Sequence, residues 1–334
     1  MRMHLATAIA MFAACGPATG AGEPGAAKET HVIDVKTSDD LVAARAEYMR
    51  LWDAGFDGTL EIRIAPGAYT PVSWSLEPAP DSPRRDASPT IDVVLRGGPA
   101  APPPPEAIHA RNLRIEDLIL TRTSAPWRLV VSESVALRRT VLVDCRARER
   151  SDGTPLLAIL GRGEAGAAAP RAVTARIEKS WFLRNQQSVE ASAMIGFGSV
   201  EALPSYWDSI LIDDSAFLGD AFATELDIRF ARAVRISNSV FYKTWPDGVL
   251  IQSTSSGEVT LEGSTVVVED AAHVARNGAE SPPVAFAGTT RVWTRTRDRQ
   301  AVERADAAVK DALALAAGQM PPDDLKRRLD AALR

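Results

Sequence analysis

The sequence has few of the side chains on which common protein chemistries depend. Its 334 residues include two cysteines and four histidines, and no histidine lies in a recognisable catalytic setting. The net charge of −5 excludes an overall basic field that would attract nucleic acid. No phosphate-binding glycine loop, zinc-ligand spacing or Ser-His-Asp signature is present. No cofactor is therefore predicted.

The apolar run at the N-terminus is too short to cross a membrane. Leu5–Ala14 follows Arg2 and ends in the letters FAAC, Phe12–Cys15. This stretch resembles a bacterial lipoprotein signal, in which the cysteine becomes the lipidated first residue. Residues 1–14 are thus predicted to be a signal peptide and Cys15 an acylated residue. An ordinary secretory signal cut near Thr19–Ala21 is the alternative.

A flexible tether is predicted over residues 15–31, because Gly16–Thr30 is rich in glycine, proline and alanine and has no periodicity. Acyl chains on Cys15 would bury methylene groups in the bilayer and hold the protein at the cell envelope, in the outer membrane or at the cell surface. Without that anchor the protein would be secreted. If Cys15 is lipidated, no disulfide forms, and Cys145 is predicted to be a packed thiol.

Six copies of one phrase dominate the rest of the chain. They share an aliphatic residue, then three positions later a residue that is Ser or Thr in five copies and Leu118 in the first, then an apolar residue two further on. The copies are Leu113–Thr123, Val135–Cys145, Ala175–Asn185, Ile210–Asp220, Val234–Thr244 and Val259–Glu269. The aliphatic column is Ile115, Leu137, Ile177, Ile212, Ile236 and Leu261, at spacings of 22, 40, 35, 24 and 25 residues.

These spacings indicate one supersecondary unit per repeat. Each phrase is too short and too β-branched for a helix, and a second strand-like segment, such as Thr224–Phe230 or Gly248–Thr254, lies between phrases. Strands that stack identical positions on one another are typical of a parallel β-helix. The aliphatic and Phe columns would then point inward, and the serine column would let the wall bend.

The pattern resembles the right-handed parallel β-helix of the pectate lyase superfamily, over residues 32–292. The letters EIRIAPGAY, Glu61–Tyr69, resemble the stretch that opens such helices. A helix over Thr37–Ala54 would cap one end. Residues 293–334 would form a C-terminal helical cap, with a partner-binding hairpin as the alternative. Its buried face is predicted to hold Val302, Ala305, Val309, Ala312 and Ala316.

Candidate site residues follow from the long insertions and from strand alternation. Alternation turns Glu225, Asp227 and Arg229 outward. The other residues predicted to share this face or flank it are Arg162, Gln252, Tyr206, Trp207 and Trp245. Their aromatic rings could stack on sugars. The alternative is a solvated strand face, with Tyr206 and Trp207 pinning their own loop.

A cation site has weak support in the sequence. Asp213, Asp214 and Asp220 are close in sequence, but Asp213 and Asp214 point in different directions. Calcium needs several oxygen atoms that converge on one point, so the sequence supports calcium only weakly and favours surface acids.

The residues leave three functions open. The leading one is an envelope protein, monomeric, that presents a rigid face to polysaccharide or to another surface partner. The second is a polysaccharide lyase for uronate polymers, with Arg229 or Lys243 as base and Asp227 helping to bind a cation. The catalytic motifs of polygalacturonases and pectate lyases are not found. The third is a purely structural solenoid.

The substitution Cys15→Ser tests the anchor. We expect it to abolish incorporation of labelled fatty acid, because the acylated thiol is lost, whereas Cys145→Ser should incorporate label like the wild type. Label retained in Cys15→Ser, or absent from the wild type, would contradict the lipoprotein prediction.

Overall fold

A computed structural model describes most of the chain. The described residues are 28–67, 69–70, 72–98, 105–121, 127–147, 154–164, 167, 169–187, 193–200, 205–278, 280–315, 321 and 325–332. The predicted signal peptide, Cys15 and most of the predicted tether lie outside these residues. Within them, no helix is long and apolar enough to span a membrane.

Short strands make up most of the described chain. The strands are β1 (Thr30–Val35), β2 (Thr59–Ile64), β3 (Asp92–Arg96), β4 (Ala107–Glu116), β5 (Ile119–Thr121), β6 (Trp127–Arg138), β7 (Val141–Val143), β8 (Arg146–Ala147), β9 (Leu157–Gly161), β10 (Arg171–Glu178), β11 (Trp181–Leu183), β12 (Gln186–Gln187), β13 (Ala193–Ser199), β14 (Ser205–Asp213), β15 (Ala216–Leu218), β16 (Thr224–Arg229), β17 (Ala233–Ser237), β18 (Val240–Tyr242), β19 (Val249–Thr254), β20 (Glu258–Glu262), β21 (Thr265–Val268), β22 (Ala275–Asn277), β23 (Ala285–Ala287) and β24 (Arg291–Thr294). The helices are α1 (Ser38–Asp53), α2 (Arg299–Leu315) and α3 (Leu325–Ala332).

The strands pair in parallel, each with the equivalent strand of the next repeat, and the sheets curl into a solenoid-like body. One series runs β6–β9–β13–β16–β19–β22. A second runs β1–β2–β3–β4–β6–β10–β14–β17–β20–β23, and the long strand β6 joins it to the first. The third is a separate seven-stranded sheet, β5–β7–β11–β15–β18–β21–β24. A parallel, predominantly β structure is therefore confirmed.

The predicted aliphatic column forms a continuous ladder. Ile212 pairs with Ile236, and Ile236 pairs with Leu261, in parallel register. The same register links every other member of the column, from Ile115 onward. All six side chains are buried. The ladder also extends backward through Leu95, Ile62 and Ile33, which the repeat pattern did not include.

The second inward column stacks aromatic rings. Phe182, Phe217 and Phe241 lie one above another, with neighbouring ring centroids 4.6 Å apart. The distance is close to the spacing of adjacent strands, about 4.8 Å. Register alone thus brings these rings into contact, and they fill the core beside the aliphatic ladder.

The serine column was predicted because a small residue lets the wall bend. Its hydroxyl groups also form hydrogen bonds with the backbone. The backbone N–H of Ser180 donates to Ser215 Oγ at 3.2 Å, and the N–H of Ser215 donates to Ser239 Oγ at 3.3 Å. Each hydroxyl also donates to the carbonyl two residues earlier, as Ser215 does to Asp213. The column satisfies buried backbone groups at the corner between two sheets, where ladder bonds are interrupted.

The bend itself is made by the residue before each position of this column, which holds Leu118 and Thr140 in the first two copies and serine in the last four. That residue has a positive φ in successive repeats: Asp117, Arg139, Lys179, Asp214, Asn238 and Gly263. A left-handed residue turns the chain sharply, and Asp, Asn and Gly tolerate this conformation best. The corner is therefore encoded by a pair of positions, the left-handed residue and the serine that follows it.

Helix α1 matches its prediction closely. Thr37 is its N-cap and forms a capping box with Asp40. Leu41, Tyr48 and Trp52 are buried in the main core with the strands of the first repeats. Hydrogen bonds from Lys36 and Thr37 lower the pKa of Asp40, as expected for a carboxylate at a helix N-terminus.

Helices α2 and α3 bury the predicted apolar face in a different place. Val302, Ala305, Val309 and Ala312 pack with Leu325 and Leu329 against the outward side chains of the seven-stranded sheet. Those side chains include Val141, Leu183, Leu218, Val240 and Val267. The helices therefore cover a side of the solenoid-like body, which differs from the predicted cap over its end. Ala316 lies outside the described residues.

The serine column can be tested at Ser215. Ser215→Ala should lower the free energy of unfolding by about 1–3 kcal/mol, because the buried N–H of Ser180 loses its acceptor. Ser215→Thr should cost less, since threonine keeps the hydroxyl and already occupies this column at Thr140. Chemical denaturation measures both, with exposed Ser209→Ala as the control. Equal stability of Ser215→Ala and Ser209→Ala would contradict the hydrogen-bonding role.

Candidate functional site

One outward row of side chains crosses the first sheet series. Six residues in consecutive strands pair in register: Arg128, Ala158, Gly196, Asp227, Gln252 and Arg276. We call them the Asp227 row. Five strand spacings of about 4.8 Å give the row a length of about 24 Å. An exposed arginine stands at each end of the row, and the second and third positions, Ala158 and Gly196, have small side chains or none.

The small residues follow from close packing. A Cβ on Gly196 would lie 2.6 Å from Pro155 Cγ, so Pro155 covers this part of the row and requires glycine beneath it. The accessible part of the row is therefore its second half, from Asp227 to Arg276.

Asp227 and Arg229 form an ion pair on this face. Arg229 Nη2 lies 2.7 Å from Asp227 Oδ2, with the arginine side chain 56% exposed and the aspartate 14% exposed. The hydrogen bond to Asp227 raises the pKa of Arg229, an effect that partial burial opposes. A general base must lose its proton, so this pairing makes Arg229 less suited to that role.

Glu225 and Lys243 are buried rather than exposed. Lys243 Nζ lies 3.0 Å from Glu225 Oε1, and the two side chains are 1% and 2% exposed. The same ammonium donates to the carbonyl oxygen of Phe222. The prediction that alternation turns Glu225 outward is wrong, because Glu225 is at the start of β16, where Thr224, Glu225 and Leu226 are all buried. Neither group contacts solvent.

Asp220 lies beside this pair in a polar ladder of the interior. Its Oδ1 accepts hydrogen bonds from the backbone and side-chain amides of Asn185, at 2.6 and 3.1 Å. Asn185 Oδ1 in turn accepts from the backbone N–H of Cys145, which is buried as predicted. Asp220 is fully buried, so the surface acid favoured by the sequence is not found at this position.

Burial dominates the acid chemistry of Asp220. Desolvation, followed by the negative charge of Glu225, raises its pKa well above the ordinary value. Desolvation also raises the pKa of Glu225, and Lys243 opposes this shift. Asp220 Oδ2 has no partner among the described residues, which fits a carboxyl group that keeps its proton.

The predicted aromatic residues are not brought together on the face. Trp207 is fully buried; its Nε1 donates to the Gly198 carbonyl at 3.1 Å, and its ring meets Phe197 edge-on. It cannot stack on a ligand at the surface, and it pins its own segment, which is the alternative that the sequence left open. Tyr206 is half-buried in β14, and Trp245 is half-buried in the turn that leads into β19.

Arg162 is on the face that was predicted, but it is buried. Leu160 pairs with Gly198, and Phe197 pairs with Ile228, so Leu160 is in register with Arg229 two strands away. Arg162 follows Leu160 by two residues and therefore lies on the same side of the sheet as Arg229. Its side chain is 6% exposed. The charges that influence Arg162 are those of Asp86, Tyr48 and Arg128. Arg128 is the first member of the Asp227 row, and the other members of the row are not among them.

The sequence patterns missed two candidate residues on or near this face, Arg276 and His109. The spacing could have found Arg276, since it follows Gln252 by 24 residues, the same interval that separates Ile212 from Ile236. No copy of the phrase covers His109, which lies in β4 before the first copy begins at Leu113.

A cleft of about 380 Å³ lies between α2 and the seven-stranded sheet. Arg184, Tyr242, Asp306 and Lys310 line it together with apolar side chains of α2. Its polar groups largely bind one another: Arg184 pairs with Asp144, and Tyr242 donates to Asp306.

No metal centre is found in the part of the chain that the structure describes. Nowhere in it do three or more His, Cys, Asp or Glu side chains lie close enough together to hold an ion. Asp213 instead accepts hydrogen bonds from Ser237 and Asn238.

No family model matches the sequence, and no curated protein matches it significantly.

The substitution Asp220→Asn tests the buried acid. A raised folded-state pKa means that the wild type loses stability as pH rises from the unfolded-state pKa, near 4, toward the folded one. Asparagine has no proton to lose and keeps the acceptor for Asn185. The variant should therefore gain stability relative to the wild type as pH rises from 4 to 7, measured by urea unfolding. Asp247→Asn, at an exposed aspartate, serves as the control. A pH-independent difference for Asp220→Asn would contradict a raised pKa.

Proposed function

We propose that the chain is a right-handed parallel β-helix whose first repeat is capped by α1, and that it is exported and anchored at the cell envelope through Cys15. The parallel ladders and the three series of strands support this fold. The capping-box helix packed into the core of the first repeats supports the cap. The N-terminal sequence supports the anchor.

We propose further that the protein binds polysaccharide along the exposed half of the Asp227 row. The observation that carries this proposal is the register that holds Asp227, Gln252 and Arg276 at successive strand spacings on one face, from half-buried Asp227 and Gln252 to exposed Arg276. Amide, carboxylate and guanidinium groups supply the donors and acceptors that sugar hydroxyls and uronate groups require. A rigid sheet supplies these groups already oriented, which reduces the entropy lost on binding.

Binding without catalysis is better supported than a lyase reaction. Lys243 is enclosed and occupied by Glu225, and Arg229 is held protonated by Asp227. An eliminating enzyme needs a base that reaches the substrate, and neither candidate meets this requirement. The face is suited to hold a chain rather than to cleave it.

Glycan arrays followed by calorimetry test the proposal. We expect wild-type protein to bind at least one acidic polysaccharide, and Gln252→Ala and Arg276→Ala to weaken binding about tenfold each, about 1.4 kcal/mol, the worth of a hydrogen bond to a charged group. Arg235→Ala is the matched control, since Arg235 is exposed on the neighbouring sheet.

Absorbance of unsaturated sugar ends should stay at the background level during incubation with uronate polymers. Accumulation of such ends would favour the lyase, and the absence of any glycan ligand would favour a purely structural solenoid. Equal affinity of wild type, Gln252→Ala and Arg276→Ala would show that another surface is used.

A further inference from the structure

Three polar side chains are enclosed together near the N-terminal end of the first sheet series. His109 of β4 pairs with Val130 of β6, and Val131 pairs with Gly161 of β9. The backbone N–H of Arg162 continues this pairing by donating to the Val131 carbonyl. Strand alternation then puts His109, Ser132 and Arg162 on the same side of the sheet. We call these three residues the Arg162 cluster.

The cluster is desolvated and unsatisfied. Ser132 is fully buried and Arg162 is 6% exposed. Both ring nitrogens of His109, Ser132 Oγ and Arg162 Nε are buried and lack a hydrogen-bond partner among the described residues. Buried polar groups in native proteins almost always have a partner, and an unpaired one costs stability. Four such atoms on one patch indicate a partner that the described part of the chain does not supply.

The charge of the patch specifies the partner. No carboxylate of the described chain lies within ion-pair distance of Arg162, and the guanidinium of Arg128 adds a second positive charge nearby. The negative charge that influences Arg162 is that of exposed Asp86. The charge of Glu77 influences Tyr48 instead, and the Tyr48 hydroxyl donates its hydrogen bond to the His109 carbonyl. Burial of a cation without a counter-ion is costly, so the missing partner is an anion.

The histidine favours an oxyanion. Burial and the two arginines lower the pKa of His109 to about 3, so the ring is neutral and presents one N–H donor and one acceptor. A planar guanidinium matches a carboxylate, sulfate or phosphate through two parallel hydrogen bonds, and the hydroxyl of Ser132 adds a third donor.

We propose that the Arg162 cluster is a binding site for a small oxyanion, a carboxylate, sulfate or phosphate group, held between the Arg162 guanidinium, His109 and Ser132. The group could belong to a free ion or to an acidic sugar. The site is enclosed and two strands from Arg229, so it is separate from the exposed half of the Asp227 row and does not depend on the function proposed for that row.

Thermal unfolding in defined salts tests the site. Sodium sulfate, phosphate, acetate and galacturonate should each be titrated at constant ionic strength against sodium chloride, with galactose as the uncharged control. At least one oxyanion should raise the Tm of the wild type in a saturable manner. Arg162→Met should weaken that response at least tenfold, and Arg176→Met, an exposed control on the neighbouring sheet, should preserve it. Which of the four salts acts distinguishes a free inorganic ion from a uronate.

The same variant has a second readout that a structural role would not give. In chloride alone, Arg162→Met should melt at a higher temperature than the wild type, because it removes a buried charge that has no counter-ion. If Arg162 instead pairs with Asp86 in solution, Arg162→Met and Asp86→Asn should both melt at lower temperatures, and the proposal fails. Should Arg162→Met not fold, Ser132→Ala keeps the charge and should weaken the oxyanion response severalfold. An unchanged response in that variant, or no response of the wild type to any oxyanion, would also overturn the proposal.

Discussion

Parallel pairing of each repeat with the next, in strict register, is the constraint on which the rest of this structure depends. A single repeat exposes an aliphatic face and a row of unpaired backbone groups, and it can satisfy neither alone. Register converts positions two dozen residues apart into neighbours. The Ile212–Ile236–Leu261 ladder, the stacked Phe rings and the serine hydrogen bonds all result from it. Outward-facing residues such as those of the Asp227 row are also held one strand spacing apart by this register.

This constraint explains which parts of the fold were predictable. A column of like residues repeats at every turn, so the inward ladder and the corner serines can be found from spacing alone. The strands before Ile115 are not followed by a full copy of the phrase, so the repeat pattern did not reach them although they join the same ladder. The face of α1 was predictable because a capping box and a 3.6-residue period are both local signals.

The candidate site was less predictable, because it depends on local departures from the repeat. Asp208 bulges from β14 where the register shifts between Val173 and Thr174, so Trp207 aligns with inward Val173 rather than facing out. Glu225 lies at a strand start, where alternation has not begun, and Lys243 of the next repeat reaches it. Bulges and strand starts are decided by packing between repeats, which a periodic pattern does not encode.

Two clusters of buried polar side chains in the described part of the chain contrast in how completely they are paired. Asn185 and Asp220 share hydrogen bonds, and Lys243 binds Glu225, so most of that network is paired within the protein; Asp220 Oδ2 and Glu225 Oε2 have no partner among the described residues. The Arg162 cluster has no such internal partners among the described residues. A satisfied network stabilises one conformation, whereas an unsatisfied cationic one is better explained by a role in binding.

The helices along the side of the body have a consequence for its solubility. The strands of the seven-stranded sheet are apolar at inward and outward positions alike, as in Val141–Val143 and Trp181–Leu183, which is typical of a sheet covered on both faces. The outward half of these side chains is shielded by α2 and α3. A chain ending before Arg299 would present this apolar stripe, several strands wide, to water, and surfaces of that kind promote self-association. The C-terminal segment thus shields an apolar surface of the seven-stranded sheet that would otherwise favour self-association.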